Sequence, residues 1–396
     1  MSFVADRANI PTSTTLQVSD RVKELNRSGK EVVDLSAGEP DFPTPEHIRE
    51  YAKRALDEGY TFYVDAAGLL DLREAIAEKL QAENGIHVNP KDNVIVTVGG
   101  KEAVFASIMA TVNPGEEVII TDPGWVSYAP CVQLAGGRAV YLPLNERDEF
   151  VISPDNFLKA ITNKTKMLIL NSPNNPTGSV LSKEVLEHIA DHARRKRILV
   201  LSDELYEKII YDGTKHYSIG SFPGMEELAI TVNGFSKSMA MTGWRLGYLA
   251  GPRTLVQRIK AIHSHMVTGP CTFVQRAAAL ALRDQRTSES INKMVLEYAR
   301  RRELLVRELV KTEVISCKKP QGTFYAFANI TRSGLSSEKF SKALLERARV
   351  AVIPGNAFGP HGEGFVRVSF AASTDNIGAA IERTLSAIPE LKAPLP

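Results

Sequence analysis

One stretch organises the fold of this chain: Ile230-Thr-Val-Asn-Gly-Phe-Ser-Lys237-Ser-Met-Ala-Met-Thr-Gly-Trp-Arg245-Leu-Gly-Tyr-Leu-Ala250. It begins and ends with short apolar runs, Ile230 to Val232 and Leu246 to Ala250, and holds small and hydroxyl residues between them. Apolar runs that do not alternate with polar residues are typical of strands covered by helices on both faces. The stretch therefore predicts two buried strands joined by a polar segment that contains Lys237 and Arg245.

Five further apolar runs precede this stretch. They lie at Val94 to Val98, Val118 to Thr121, Ala139 to Leu142, Met167 to Leu170 and Ile198 to Leu201. Helix-like stretches separate most of them, at Lys101 to Thr111, Pro123 to Ala135 and Lys183 to Arg195. Strands that alternate with helices are typical of a parallel sheet between two layers of helices. The sequence therefore predicts an α/β fold whose large domain holds a mostly parallel, seven-stranded sheet.

The length of 396 residues exceeds what one hydrophobic core usually serves, so we expect a second, smaller domain. Residues 45–285 carry the predicted sheet and form the large domain. Residues 286–396 predict a smaller α+β domain, with a helix at Ser288 to Leu309 and strands at Gly322 to Ala328, Val350 to Ile353 and Val366 to Phe370. Residues 1–44, with a helix at Ser19 to Ser28 and a strand at Val32 to Leu35, are expected to pack onto that domain.

The composition excludes several classes of protein. Lys+Arg 48 against Asp+Glu 46 gives a net charge of +2, without the concentrated positive charge of a nucleic-acid-binding protein. No apolar stretch is long enough for a signal peptide or a membrane span, so we expect neither. Cys131, Cys271 and Cys317 are far apart and lack CxxC spacing. They predict no disulfide scaffold and no metal site, and they fit a reducing cytoplasm.

Lys237 has the surroundings of a reactive amine. A lysine placed behind a strand among small residues loses solvation, which lowers its pKa and makes it a nucleophile toward an aldehyde. Ser236 and Arg245 offer hydrogen bonds and a fixed fork of positive charge for a phosphate. An aldehyde and a phosphate together indicate pyridoxal 5'-phosphate. The alternative is an ordinary strand, turn and surface helix with unremarkable basic residues.

Other polar residues follow the predicted strands, where ligands bind in open α/β sheets. Gly99-Gly100 opens a helix whose N-terminal amides can face an anion. Trp125 offers a ring for stacking, although a core tryptophan fits that segment equally well. Asn171-Ser-Pro-Asn-Asn175-Pro-Thr-Gly178 predicts a rigid turn that aims Asn175, against the alternative of a plain connection. Asp203 is a buried carboxylate that needs a cation, or else a helix N-cap.

Together these residues resemble the fold-type I pyridoxal-phosphate enzymes, specifically the class I and II aminotransferases and their bacterial and archaeal aspartate aminotransferase branch. The resemblance covers nearly the whole chain. Its elements are, in chain order, Ser36-Ala-Gly38-Glu-Pro40-Asp41, Tyr63 with Gly68 and Leu72-Arg73, Gly99-Gly100, Trp125, Asn171 to Gly178, Asp203 with Tyr206, Gly234 to Gly247, and Arg367.

The resemblance implies a role for each residue around the cofactor ring. Lys237 would carry pyridoxal phosphate as a Schiff base and move a proton during transfer. Asp203 would keep the ring nitrogen protonated, so that the ring accepts electrons from the substrate. Tyr206 and Asn175 would hydrogen-bond the phenolic oxygen, and Trp125 would stack on the ring.

The resemblance also implies how the phosphate is held. Ser236, Arg245 and the backbone amides of Gly100 and Lys101 would bind it. Tyr63 would reach it from a neighbouring subunit, which implies a homodimer with shared active sites.

The substrates implied are an amino acid and a 2-oxo acid. Arg367 and the Gly38 backbone would bind the α-carboxylate, with Trp125 and Asn175 at the same site. The best-known aspartate aminotransferases bind the distal carboxylate with an arginine of the partner subunit, but the corresponding segment, His263 to Pro270, contains none.

The prokaryotic branch resembles this chain in Lys101, which would meet an acidic side chain with help from the hydroxyls of Ser13 and Thr15. A solvated lysine on a first helical turn is the alternative for Lys101. The predicted reaction is amino transfer between L-aspartate and 2-oxoglutarate. The alternatives are an aromatic, prephenate or alanine aminotransferase and, on the same scaffold, a β-lyase or a decarboxylase.

Overall fold

The computed structural model describes residues 3–311 and 313–391 of the chain. Its strands are β1 (Val33–Asp34), β2 (Val94–Thr97), β3 (Glu117–Asp122), β4 (Arg138–Pro143), β5 (Thr165–Asn171), β6 (Leu199–Asp203), β7 (Ala229–Gly234), β8 (Gly247–Ala250), β9 (Ser316–Cys317), β10 (Tyr325–Asn329), β11 (Val350–Ala351), β12 (Ile353–Pro354) and β13 (Phe365–Ser369). Its α-helices are α1 (Thr14–Arg27), α2 (Glu46–Asp57), α3 (Leu70–Lys79), α4 (Gly99–Thr111), α5 (Tyr128–Leu134), α6 (Pro154–Ala160), α7 (Lys183–Lys196), α8 (Arg253–Met266), α9 (Thr272–Leu282), α10 (Gln285–Leu309), α11 (Ser337–Ala343) and α12 (Thr374–Leu391). None of the helices described is long and apolar enough to cross a membrane.

Seven strands form the main sheet, in the order β2-β8-β7-β6-β5-β3-β4. β8 runs antiparallel to its neighbours β2 and β7, and every other neighbouring pair is parallel. Each of the seven predicted apolar runs overlaps one of these strands. The predicted α/β fold with a mostly parallel seven-stranded sheet is therefore confirmed.

Helices cover both faces of this sheet. Ile119 and Leu168 pack in one hydrophobic cluster with Ile189 of α7. Their chain neighbours Val118 and Met167 point to the opposite face and join a second cluster with residues of α4 and α8. Because successive strand residues alternate between two buried clusters, the strands have to be apolar throughout, which is the pattern that the sequence shows.

A second region combines an antiparallel sheet with helices. Its four strands have the order β12-β13-β10-β9. The amino-terminal part joins this region, since β1 pairs parallel with β11 and Val22, Leu25 and Val32 pack against Ala351. This is the α+β arrangement expected from the two ends of the chain. The division at residues 44 and 285 stays a prediction.

Three predicted elements differ from the structure. The helix expected from Pro123 begins only at Tyr128, because residues 123–127 form an irregular turn after β3. α1 begins at Thr14 rather than at Ser19. The run from Val350 to Ile353 is divided between two sheets, with β11 pairing with β1 and β12 with β13.

Candidate active site

A cavity of about 580 Å³ lies at the carboxyl ends of the central strands, beside β13 and α1. We call it the central cavity. Most of the residues predicted for the site line it, namely Thr15, Gly38, Gly100, Lys101, Trp125, Asn175, Asp203, Tyr206, Ser236, Lys237, Arg245 and Arg367. Ser13 and Tyr63 do not. The parallel strands bring these residues together because their carboxyl ends meet at one edge of the sheet.

Lys237 follows the end of β7 and points its amine into the central cavity. Its Nζ donates a hydrogen bond of 2.5 Å to the carbonyl oxygen of Gly38. Burial, together with the positive charges of Arg367 and Arg245, lowers the pKa of Lys237 to about 8. An amine with this pKa is uncharged in about a tenth of molecules at pH 7, far more than an ordinary lysine, and the uncharged state is the one that attacks an aldehyde.

Asp203 ends β6 and is 6% exposed. Its Oδ2 accepts a hydrogen bond of 2.7 Å from the Tyr128 hydroxyl, and its Oδ1 accepts one of 3.3 Å from the backbone N–H of Leu205. Burial raises the pKa of Asp203 to about 6, although these hydrogen bonds favour the ionised form. A turn rather than a helix follows Asp203, so the N-cap alternative is wrong.

Arg367 lies on β13 and is buried. Its two terminal nitrogens donate hydrogen bonds to Asn175 Oδ1 at 3.1 Å and to the carbonyl oxygen of Ser36 at 2.9 Å. Its guanidinium stacks on the ring of Tyr325, 4.2 Å from the centroid. Within residues 3–311 and 313–391 it has no carboxylate partner, and its Nε has no hydrogen bond. A buried, positively charged fork in this state suits a carboxylate that comes from a ligand.

The N-terminus of α4 forms a cradle for an anion. α4 begins at Gly99, whose φ is +77°, and a Cβ on Gly99 would lie 2.6 Å from Arg245 Nη2. A Cβ on Gly247 would lie 2.6 Å from the backbone nitrogen of Gly100. Only glycine allows this approach of the backbone to the guanidinium. Ser236, which is buried, lines the same end of the cavity, so free helix amides, a hydroxyl and an arginine converge as a phosphate requires.

A buried contact between Glu102 and His263 supports this helix terminus from behind. Glu102 accepts a hydrogen bond of 2.6 Å from the backbone N–H of Val98 and contacts His263 Nδ1 at 2.5 Å. His263 is completely buried on α8. The segment that lacks the expected arginine therefore holds a histidine that is engaged within its own chain.

The remaining predicted residues lie at the periphery. Lys101 is exposed on the first turn of α4, with its ammonium 5.2 Å from the centroid of the Trp125 ring. The hydroxyls of Ser13 and Thr15 are hydrogen-bonded to each other at 2.8 Å. Tyr63 is 92% exposed and lies outside the central cavity of its own chain.

Sequence reasoning missed two tyrosines of the site. Tyr128 donates to Asp203, and Tyr325 hydrogen-bonds the Tyr206 hydroxyl at 3.1 Å while its ring lies under Arg367. The position of Tyr128, in the same turn as Trp125, is a signal that could have identified it. No local signal marks Tyr325, because its partner is 119 residues away in the chain.

The groups around the central cavity fit pyridoxal phosphate. Its aldehyde suits the Lys237 amine with its lowered pKa, and its phosphate suits the cradle at Gly99 and Arg245. Its ring nitrogen, when protonated, supplies the cation that the buried Asp203 carboxylate lacks, and Trp125 offers a flat face for the ring. The donor set of this chain thus matches each functional group of the cofactor.

Comparisons with known proteins agree with this geometry. The family model for aminotransferase class I and II matches residues 30–383. An aspartate aminotransferase of Pyrococcus abyssi is 49% identical over 92% of this chain and 93% of the relative. An aromatic-amino-acid aminotransferase of Thermococcus litoralis is 46% identical over 95% of this chain and 100% of the relative. Among solved structures, the aspartate aminotransferase of Thermus thermophilus with maleate has a TM-score of 0.94 at 41% identity, covering 98% of this chain and 100% of that chain.

The family model spans far more than half of the chain, and the relatives match it at nearly full length in both directions. The resemblance that the sequence motifs indicated is confirmed, as is the cofactor that it implied. The chain therefore belongs to the class I and II aminotransferases and is a pyridoxal-phosphate-dependent transaminase.

Proposed function

We propose that this enzyme transfers the amino group of L-aspartate to 2-oxoglutarate with ping-pong kinetics. The observation that carries this proposal is that Arg367 and Lys101 both line the central cavity, which would give each carboxylate of a dicarboxylic substrate a cation of its own. Arg367 is buried at one wall, and Lys101 lies beside Trp125 at another. Relatives named aspartate aminotransferase, at 42% and 49% identity, support the same substrate.

The positions of the lining residues support the following cofactor-binding roles. Lys237 would be the point of covalent attachment, Asp203 would pair with the ring nitrogen and Trp125 would stack on the ring. Asn175 and Tyr206 would hydrogen-bond the phenolic oxygen. Ser236, Arg245 and the backbone amides of Gly100 and Lys101 would hold the phosphate.

The bound cofactor supplies an electron sink for the bond that breaks at the substrate Cα. Arg367 and the backbone of Gly38 bind the α-carboxylate and orient the Cα–H bond. Lys237 Nζ, once released, takes the proton from Cα as a general base, a task for which its pKa of about 8 suits it near neutral pH. Asp203 acts as the counter-charge that keeps the ring nitrogen cationic, with Tyr128 holding the carboxylate in place.

Two copies of the chain complete each site in this proposal. Tyr63 is 92% exposed and lies outside its own central cavity, which supports a role for its hydroxyl at the phosphate of a neighbouring subunit. Ser13 and Thr15 assist Lys101 in binding the distal carboxylate. We also propose a cytoplasmic location, which the three unpaired cysteines support.

An aromatic amino donor is the second candidate. The relative named aromatic-amino-acid aminotransferase favours it, as do the apolar side chains of Leu16 and Leu205 in the cavity wall. Prephenate and alanine remain alternatives within the same class. A β-lyase or a decarboxylase would release ammonia and pyruvate, or carbon dioxide, without an acceptor.

A panel of amino donors, assayed with 2-oxoglutarate as acceptor, tests the substrate. We expect aspartate to exceed phenylalanine and alanine in kcat/KM. Lys101→Met should lower kcat/KM for aspartate by about tenfold, the value of one charge-assisted hydrogen bond, and leave alanine unaffected. Lys23→Met is the matched control, because Lys23 lines the same cavity from α1. A larger loss in Lys23→Met, or inert aspartate beside a reactive neutral donor, would contradict the proposal. Product release without an acceptor would point to the lyase or decarboxylase.

A further inference from the structure

Asp122 is a completely buried carboxylate that none of the proposed roles uses. It ends β3, three residues before Trp125. Among the residues that the structure describes, His361 alone supplies hydrogen bonds to this carboxylate. His361 contacts Asp122 Oδ2 through Nδ1 at 2.6 Å, and the His361 backbone N–H lies 3.2 Å from Oδ1 and 3.3 Å from Oδ2. The two residues are 239 positions apart in the chain. The contact therefore joins the edge of the main sheet to the segment that precedes β13.

Backbone contacts tighten this junction. Gly359 has a φ of +124°, and a Cβ at that position would lie 2.1 Å from Asp122 Oδ1, so the carboxylate occupies the space of a side chain. The N–H of Gly124 donates a hydrogen bond of 2.9 Å to the carbonyl oxygen of Phe358. We call Asp122, Gly359 and His361 the clamp.

Both ends of the clamp continue directly into the active site. On one side, residues 122–128 carry Trp125 and Tyr128, the residues that contact Lys101 and Asp203. On the other side, the ring of Phe358 lies 5.0 Å from the Arg367 guanidinium. The clamp thus connects the loop that faces the cofactor ring with the arginine that faces the substrate carboxylate.

We infer that His361 is a positioning residue for the transamination reaction, acting through the Asp122 carboxylate to hold Trp125 at a fixed distance from Arg367. The inference rests on the proposed roles of Trp125 and Arg367. If the clamp only anchored the end of β3, its loss would lower stability without moving Trp125. If it positions the loop, its loss changes the surroundings of Trp125 even when no cofactor or substrate is bound.

The fluorescence of Trp125 separates these two roles. The chain has two tryptophans, so Trp244→Phe leaves Trp125 as the only emitter. In that background we compare His361→Leu, which removes the donor, with His361→Asn, which places an amide N–H near the position of Nδ1. His188→Leu, at an exposed histidine of α7, is the control. The apo-protein is read by emission spectrum and thermal unfolding, and the loaded enzyme by kcat and KM for whichever amino donor it accepts.

We expect His361→Leu to shift the Trp125 emission of the apo-protein and to raise KM for the amino donor about tenfold, with a smaller change in kcat. His361→Asn should restore most of both. Emission and KM equal to those of His188→Leu would overturn the inference, whether or not the melting temperature falls. So would a failure of His361→Asn to restore either quantity.

Asp122→Asn provides the same test if His361→Leu does not fold. It keeps the volume of the side chain but replaces one oxygen with a donor that opposes His361, so we expect the same shift in emission. An unchanged emission spectrum and KM would overturn the inference. The apo-protein spectrum needs no substrate, so it tests the clamp even if aspartate is not the amino donor.

Discussion

Two buried carboxylates at the same edge of the main sheet have pKa values that their surroundings shift in opposite directions. Asp203, the last residue of β6, and Glu207, four positions later, are both buried. Burial raises the pKa of Asp203 to about 6. Burial also acts to raise the pKa of Glu207, but the Lys79 ammonium and the Asn84 amide overcome it and lower that pKa to about 2. Glu207 forms an ion pair with Lys79, whereas Asp203 forms none in the part of the chain that the structure describes.

The surroundings of Glu207 form a closed network. Lys79 contacts the carboxylate directly, and Asn84 Nδ2 donates to it at 2.7 Å. Glu204 accepts hydrogen bonds from Ser218 at 2.6 Å and from Ser202 at 2.8 Å, and His216 lies 3.1 Å from it. Glu204, Glu207 and His216 are close enough together to resemble a metal site, but the Lys79 ammonium already supplies the positive charge there.

Asp203 and Lys237 differ from this network because neither forms an ion pair within residues 3–311 and 313–391, and their attraction to each other does not offset the effect of burial on either pKa. Their unfavourable burial is stabilised only when a ligand brings a cation to Asp203 and an aldehyde to Lys237. Lys79 and Glu207 are therefore fold-holding charges, which are paired within the protein, whereas Asp203 and Lys237 gain a partner only when the cofactor binds. We expect the fold-holding charges to be needed for stability and the other two for activity.

The largest effect is expected at Lys237. Lys237→Ala should lower turnover of any accepted amino donor by about 10⁴-fold or more, because it removes both the attachment point and the general base. The melting temperature of the apo-protein should stay the same or rise, because a buried amine without a counter-ion is lost. Lys260→Ala, at an exposed lysine paired with Asp65, is the control. If Lys237→Ala instead lowers the melting temperature of the apo-protein well below that of Lys260→Ala, Lys237 belongs to the fold-holding charges.

Asp203→Asn should lower kcat/KM by about 10³-fold, since the ring nitrogen loses its counter-charge. Asp203 has a raised pKa in the folded state, so the folded apo-protein loses stability as pH rises from about 4 to about 6, and the asparagine variant does not. At pH 7 we expect the variant apo-protein to be more stable by about 1–3 kcal/mol. Urea unfolding of both apo-proteins at pH 7 measures this difference. A less stable variant would contradict the contrast with Glu207.

Lys79→Met should have the reverse pattern. It leaves the Glu207 carboxylate buried without its cation, which costs about 3–5 kcal/mol of unfolding free energy. The double variant Lys79→Met with Glu207→Gln should recover most of that loss, because it removes the unpaired charge. Urea unfolding measures the stabilities, and kcat of whatever folded protein remains should be within a few-fold of the unmodified enzyme. A Lys79→Met variant that is stable but inactive would remove the distinction between the two regions.

The main sheet could be predicted because each of its strands has a recognisable pattern within its own segment of sequence. Runs such as Met167 to Leu170 are apolar and short, and helices cover them on both sides, so their pattern needs no knowledge of distant residues. The short strands β11 and β12 were predicted as one, because only their partners in two different sheets separate them. A strand boundary that depends on which distant strand pairs with a segment cannot be predicted from the local sequence pattern.

The same limit applies to the site. Lys237, Asp203 and Arg367 could be found because a lysine in a polar segment after a strand, a carboxylate after an apolar run and an arginine within a strand are unusual in their own segments. Tyr325 and His361 could not be found in this way, because their partners lie 119 and 239 positions away. Their roles follow from packing between regions that the sequence pattern treats separately.

The smallest effect concerns the pH dependence of cofactor loading. Only the unprotonated amine of Lys237 attacks an aldehyde, so its pKa of about 8 sets the pH range in which the apo-protein takes up pyridoxal phosphate. Below that pKa we expect the loading rate to rise about tenfold per pH unit, and above pH 8 we expect it to level off. The corresponding rate for an exposed lysine would continue to rise until about pH 10.4. Stopped-flow absorbance at fixed cofactor concentration measures the rate, with free lysine and the same aldehyde as the reference reaction. Arg367→Gln should move the pH midpoint of loading upward, because the loss of a nearby positive charge raises the pKa of the Lys237 amine. If the pH midpoint of loading in the unmodified protein lies near that of free lysine, the amine is not desolvated. Lys237 would then be an ordinary solvated side chain, and its contrast with the fold-holding charges would be lost.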